Sequence, residues 1–131
     1  MKTKILTTCL NIALKNNNPL KHPEWESYKH FSFVIQNGKI VEWGTNRKGS
    51  SISYLGYLPY QKIHSEVDAY SKARGIMDKR YSFDIINIRL GKKNQLLPSS
   101  PCKCCSAYLR HLGCKSIWFS TNIENFACVK F

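Results

Sequence analysis

The sequence predicts a single-domain α/β fold, a mixed sheet of about five strands with helices packed on its faces. Three observations carry that expectation. Two β-rich runs flank Asn37-Gly38, a pair that tolerates the positive φ of a tight hairpin turn. A strand–helix–strand succession fills the stretch from Phe83 to Ser120, and a strand that returns through a helix pairs parallel to the first. The chain is 131 residues long and 43% hydrophobic, enough for one domain with a real core.

Each element has its own local reason. Ile5/Leu6, Cys9/Leu10 and Ala13/Leu14 recur at helical spacing, and Asn16-Asn17-Asn18-Pro19 closes that amphipathic helix. The stretch opens with two lysines, as a secretory signal does. Thr7, Thr8 and Asn11 then break the apolar run and no small-residue cleavage site follows, so the expectation is a first helix in a cytoplasmic, intracellular protein. Residues 19–30 read as a loop. Strands are expected over 31–36 and 39–43, then a long loop over 44–62 that interleaves Arg47, Lys48 and Lys62 with Tyr54, Tyr57 and Tyr60. A helix is expected over 63–78, with Val67, Tyr70, Ala73 and Met77 as its buried face. Residues 83–90, rich in isoleucine, read as a central strand, and 91–100 as a turn-rich basic loop. A helix over 102–112 stops at Gly113, a strand covers 116–120, and the tail has room for a short strand over 126–130.

Composition excludes several classes. Seven Gly and five Pro, without repeats, rule out collagen-like and low-complexity sequence, and the apolar content rules out wholesale disorder. No run of about 18 apolar residues is present, so no membrane span is expected. Twenty Lys+Arg against eight Asp+Glu give a net charge of +12. An AT-rich coding sequence would favour Lys and Asn, but it would not remove acids. So basic a chain is attracted to polyanions, nucleic acid ahead of an anionic membrane surface.

Six cysteines stand at 9, 102, 104, 105, 114 and 128. The three within 102–105 are too close to pair with one another in normal disulfide geometry, and clustered cysteines without a secretory signal point to metal or redox chemistry. Two segments concentrate the chemistry. His64-Ser65-Glu66 opens the second helix, and Pro101-Cys102-Lys103-Cys104-Cys105 opens the third. Cys102 and Cys105 are three residues apart and share one face of a helical turn. One imidazole and two thiolates, His64, Cys102 and Cys105, make a three-ligand zinc site with a fourth position open. Glu66 is too near His64 in sequence to point along the same vector, and its carboxylate suits proton transfer beside the metal. The rival is a closed structural site with Cys104 or Cys114 as fourth ligand. Cys104 is turned about 200° from Cys102 around a helix and should face the core, and Cys114 lies a helix length away. Cys9 and Cys128 read as small buried hydrophobes.

H-x-E followed by P-C-x-x-C resembles the cytidine-deaminase-like zinc deaminase superfamily, over roughly residues 31–121. The pattern is nearest to polynucleotide cytosine deaminases of the AID/APOBEC or phage and bacterial DNA type. The resemblance implies a three-layer cytidine-deaminase-like fold, one Zn²⁺ on His64, Cys102 and Cys105, and Glu66 as the catalytic proton shuttle. The family has Ala where this chain has Ser65, whose backbone N–H would contact the base carbonyl. Asn46, in Gly44-Thr45-Asn46, takes the place of the family's sugar-contacting asparagine. Ser100, before Pro101-Cys102, resembles the serine whose backbone carbonyl lies near the cytosine amino group. The strand after Gly113 resembles the family's last core strand, running parallel as in the tRNA and polynucleotide branches.

A polynucleotide substrate needs a basic groove with aromatic platforms, and a free nucleoside needs neither. Arg47, Tyr60 and His30 are the candidate strand-binding residues, with Lys92, Lys93 and Lys103 near the zinc end of the sheet. The expected activity is hydrolytic deamination of cytosine to uracil in single-stranded nucleic acid, DNA first, by a protein that is monomeric rather than oligomeric. Free cytidine or deoxycytidylate is the alternative, then adenine in nucleic acid, then a non-catalytic structural-zinc module.

Overall fold

Asn37 and Gly38 both take positive φ, 53° and 71°, and reverse the chain between β1 (Tyr28–Gln36) and β2 (Lys39–Thr45). The hairpin is antiparallel, with Gln36 opposite Lys39 and Phe31 opposite Thr45. The computed structural model describes residues 3–18, 20, 28–48, 62–121 and 126–131. Its remaining elements are α1 (Thr3–Asn16), β3 (Arg47–Lys48), β4 (Lys62–Ile63), α2 (Ser65–Ala73), β5 (Phe83–Gly91), β6 (Leu96–Leu97), α3 (Lys103–His111), β7 (Cys114–Ser120) and β8 (Phe126–Lys130).

The main sheet runs β2-β1-β5-β7-β8, and β6 folds back antiparallel on the end of β5. β5 lies at its centre, antiparallel to β1 and parallel to β7, as the strand–helix–strand reading expected. Period-2 alternation divides the side chains between the two faces. Phe31, Phe33, Ile35, Ile86, Ile88 and Leu90 pack with Cys9 and Ala13 of α1 on one face. Val34, Ile85, Phe83 and Ile117 pack with Ala69, Ala73 and Leu109 of α2 and α3 on the other. The result is the predicted three layers. Ser32 and Asn87, direct partners across β1 and β5 and both buried, interrupt the second face.

Several boundaries differ from expectation. The second helix covers Ser65–Ala73 rather than 63–78. At its start Ile63, expected to open the helix, pairs instead with Arg47 of the expected loop in the short β3–β4 ladder. At its end the chain turns through Gly75, and Met77 reaches the core from that turn, so apolar period outlasts the helix. The basic loop over 91–100 contains β6. The strand resembling the family's last core strand is interior: β8 follows it and pairs antiparallel, Ser116 opposite Lys130. Cys9 is fully buried as expected, while Cys128 is only half-buried. Among the described residues no helix is long and apolar enough to cross a membrane.

Candidate active site

Two helix N-termini bring the predicted metal ligands together. His64 is the N-cap of α2, with extended backbone (φ −72°, ψ 150°). Cys102 is the N-cap of α3, again extended (φ −72°, ψ 159°), and its sulfur accepts the Cys105 N–H at 3.3 Å. Cys105, one turn on, is buried and directs its sulfur to the same point. His64 Nδ1 lies 3.8 Å from Cys102 Sγ and 3.2 Å from Cys105 Sγ. The three ligand atoms fall within 4.8 Å of one another. Tetrahedral zinc with ordinary bond lengths would set neighbouring N and S ligands about 3.6 Å apart and two sulfurs about 3.8 Å apart. The donor set and its spacing therefore fit one zinc ion. Cys104 is not a member of this group; it is half-buried against Val67 and Cys105.

The electrostatics suit a metal as well. A hydrogen bond with Cys105 holds the Cys102 thiol far below its usual range, at about 4, with His64 adding to the effect against the cost of burial. The same contact and burial push Cys105 upward. Both sulfurs stand at the positive end of α3, which favours the anion.

Glu66 is buried on the first turn of α2. Burial raises its carboxyl above the ordinary carboxylate range, while its own N–H, His64 and Ser65 pull the other way. The Ser65 hydroxyl lies 3.1 Å from Glu66 Oε1 and 2.7 Å from Ser32 Oγ, and Ser32 Oγ donates to Asn87 Oδ1 at 2.7 Å. A chain of buried polar groups thus runs from the centre of the sheet to the Glu66 carboxylate. Sequence reasoning named Ser65 for its backbone only and missed Ser32 and Asn87. Their signal is present: each is a lone polar residue inside an apolar strand, Phe31-Ser32-Phe33 and Ile86-Asn87-Ile88.

Asn46 is buried just past β2, and its Oδ1 accepts the His30 N–H at 2.9 Å. His30 is half-buried on β1, two residues before Ser32 and on the same face. Asp68 Oδ2 accepts the Thr45 N–H at 3.0 Å, which ties α2 to the end of β2 beside Asn46. Ser100 is exposed. Its neighbour Ser99 is buried and fixes the approach to Cys102, donating to Asn87 O at 2.9 Å, with its N–H on Ser120 O at 3.0 Å. Arg47 lies on β3, next to Asn46 in the chain. Tyr60, with Tyr54 and Tyr57, lies outside the described residues. Lys92 and Lys93 are exposed in the β5–β6 turn, and Lys103 is exposed at the first position of α3. The structure thus gathers His64, Cys102, Cys105, Glu66 and Ser65 at one end of α2 and α3.

The sequence matches no protein-family model and no curated protein. The fold is shared with solved deaminases. The cytidine deaminase from Burkholderia pseudomallei superposes with a TM-score of 0.66 at 16% identity, covering 99% of this chain and 93% of that one. The apo dCMP deaminase of cyanophage S-TIM5 gives 0.61 at 17% identity, over 95% and 88%. The cytidine deaminase from Mycobacterium leprae gives 0.61 at 13% identity, over 94% and 92%. The chain has the cytidine-deaminase-like fold, with a His/Cys/Cys group that could hold one zinc.

Proposed function

We propose that this chain, built on the cytidine-deaminase-like fold, is a zinc-dependent hydrolase that converts cytosine to uracil and ammonia in single-stranded nucleic acid, DNA first. The observation that carries the reading is the buried Glu66 carboxyl on the first turn of α2, two residues past His64, which with Cys102 and Cys105 forms the three-donor group. A structural zinc site needs no such carboxyl.

Zinc bound there supplies the Lewis acidity that makes water a competent nucleophile at neutral pH. Glu66 takes one proton from the attacking water and delivers it to ring N3 as the C4–O bond forms. It then carries the second water proton to the departing amino group as the C4–N bond breaks, which releases ammonia. The N–H of Ser65, in the first turn of α2, has no acceptor within the helix and is offered to the base carbonyl at C2. Ser100 contributes its backbone carbonyl to the amino group. Asn46 contacts the sugar, and Arg47, His30 and Tyr60 hold the flanking strand. The net charge of +12 supports a polyanionic substrate over a neutral nucleoside. An intracellular location fits such a substrate.

A second reading has its own support. The similar structures are named as cytidine and dCMP deaminases, so free cytidine or deoxycytidylate is the alternative carrier of the same base. One experiment separates them. Zinc-loaded protein and its Glu66→Ala variant are incubated with mixed-sequence single-stranded DNA, with cytidine and with dCMP. C-to-T changes made by the unaltered protein alone support the polynucleotide reading. Turnover of cytidine or dCMP with unaltered DNA moves the assignment to the free substrate. No uracil from any of them overturns the deaminase reading.

A further inference from the structure

A second site lies at the end of the sheet away from the metal donors. A cavity of ≈ 950 Å³ opens where β5 and β7 begin and the β1–β2 hairpin turns. Because β5 and β7 run parallel, their starts lie at one end of the sheet, and the Ser99–Ser120 contacts beside Cys102 lie at the other. The cavity is lined by Lys4 of α1, Lys39 of β2, Lys115 of β7 and Lys130 of β8. Four separate elements therefore each bring a lysine to the lining of one space. Asp84 is the one acidic side chain among the lining residues, and it already meets Lys115 at 3.9 Å and the Ser116 hydroxyl. Among the described residues Lys4, Lys39 and Lys130 make no ion pair. Lys4 also stands in the first turn of α1, where no acidic residue answers the positive end of the helix. Among the described residues one acidic side chain faces four lysines in this lining, an excess of positive charge that an anion would offset.

The floor of the cavity is apolar. Ile35 and the half-buried indole of Trp118 face it from the sheet. An aromatic plane beside a set of cations is the pairing that receives a nucleotide, base on the ring and phosphate on the ammonium groups. We infer that this cavity binds a nucleotide unit, at a site separate from the metal centre. That unit is either a free nucleotide or one residue of a bound strand. The first source would make the cavity a small-molecule site, and the second would make it an anchor for the far part of a nucleic acid.

Binding, not turnover, tests this, so its failure is distinct from that of the deaminase reading. Titrations of the Glu66→Gln protein with dTTP and with labelled octathymidylate are compared across two double variants. Lys39→Ala/Lys130→Ala removes two lining charges. Lys15→Ala/Lys79→Ala removes the same net charge from exposed positions outside the cavity. The expected result is a tenfold or larger loss of affinity in the first and less than threefold in the second, with a matching loss in Trp118→Leu. If the effect is confined to dTTP, the ligand is a free nucleotide; if confined to the oligomer, a strand. Equal losses in the two double variants, or an acidic peptide that competes as well as a nucleotide of equal charge, would overturn the proposal.

Discussion

The hydroxyls of Ser32 and Ser65 meet at 2.7 Å where the sheet touches the first turn of α2. Ser32 also donates to Asn87 Oδ1, and Ser65 also contacts Glu66 Oε1. Two hydroxyl protons therefore serve three buried contacts, and neither serine can be removed without altering what holds the other. Ser32→Ala and Ser65→Ala should each lower kcat by about fivefold, the equivalent of one net hydrogen bond. KM should stay unchanged in Ser65→Ala, because its backbone N–H remains. The double variant should lose little more than either single one, since the hydroxyls act as a unit. Independent, additive losses would show that the contact does not position Glu66.

Gly44 sets how closely α2 approaches the sheet. A Cβ built there would stand 2.5 Å from Ala69 N and 2.9 Å from Asp68 C, both backbone atoms of α2. The helix would have to move, and it carries Glu66 and follows His64. Gly44→Ala should cost about 1–3 kcal/mol of stability, the usual price of overpacking. It should also depress turnover beyond what the folded fraction explains. Unchanged urea midpoints would mean that α2 shifts freely, contrary to the Asp68–Thr45 bond that pins it.

These two relationships mark where the sequence was readable and where it was not. The hairpin at Asn37-Gly38 and the grouping of His64, Cys102 and Cys105 as possible metal donors were legible because turn chemistry and ligand spacing are local. The β3–β4 pairing of Arg47 with Ile63 was not, since two-residue strands 16 positions apart leave no periodic signal. Helical period carried the second helix past Ala73 because Met77 reaches the same core from a turn. Ser32 and Asn87 are ordinary strand residues until the register makes them partners. The pair Ser99-Ser100 was read for Ser100, yet Ser99 is the buried one, a distinction set by β7 rather than by the dipeptide.

Metal loading should be visible in stability as well as in activity. A ligand that binds only the folded state stabilises it by about 2.7 kcal/mol at 100 times its Kd. Zinc added to chelator-treated protein should therefore raise Tm, and His64→Ala should abolish the rise. Cys104→Ala should keep it, because Cys104 lies outside the donor group. Loss of the zinc effect in Cys104→Ala would restore the closed four-ligand site that the geometry disfavours.

Alkaline pH should weaken the fold through two cysteines far from metal chemistry. Burial pushes Cys9, on the buried face of α1, and Cys114, at the start of β7, from 9.0 up to about 12. Below pH 9 both thiols are protonated in folded and unfolded chains alike, so they impose no pH dependence. Between pH 9 and 12 the unfolded chain loses these protons and the folded one keeps them. The unfolded state then binds fewer protons, and stability falls as pH rises, by about 1.4 kcal/mol per pH unit for each thiol. Urea unfolding between pH 8 and 10.5 should show this decline, and Cys9→Ala should flatten it by about one thiol's share despite a lower starting stability. The variant comparison cancels lysine titration, common to both proteins. Parallel slopes in the two would mean that Cys9 ionises in the folded chain as readily as in the unfolded one.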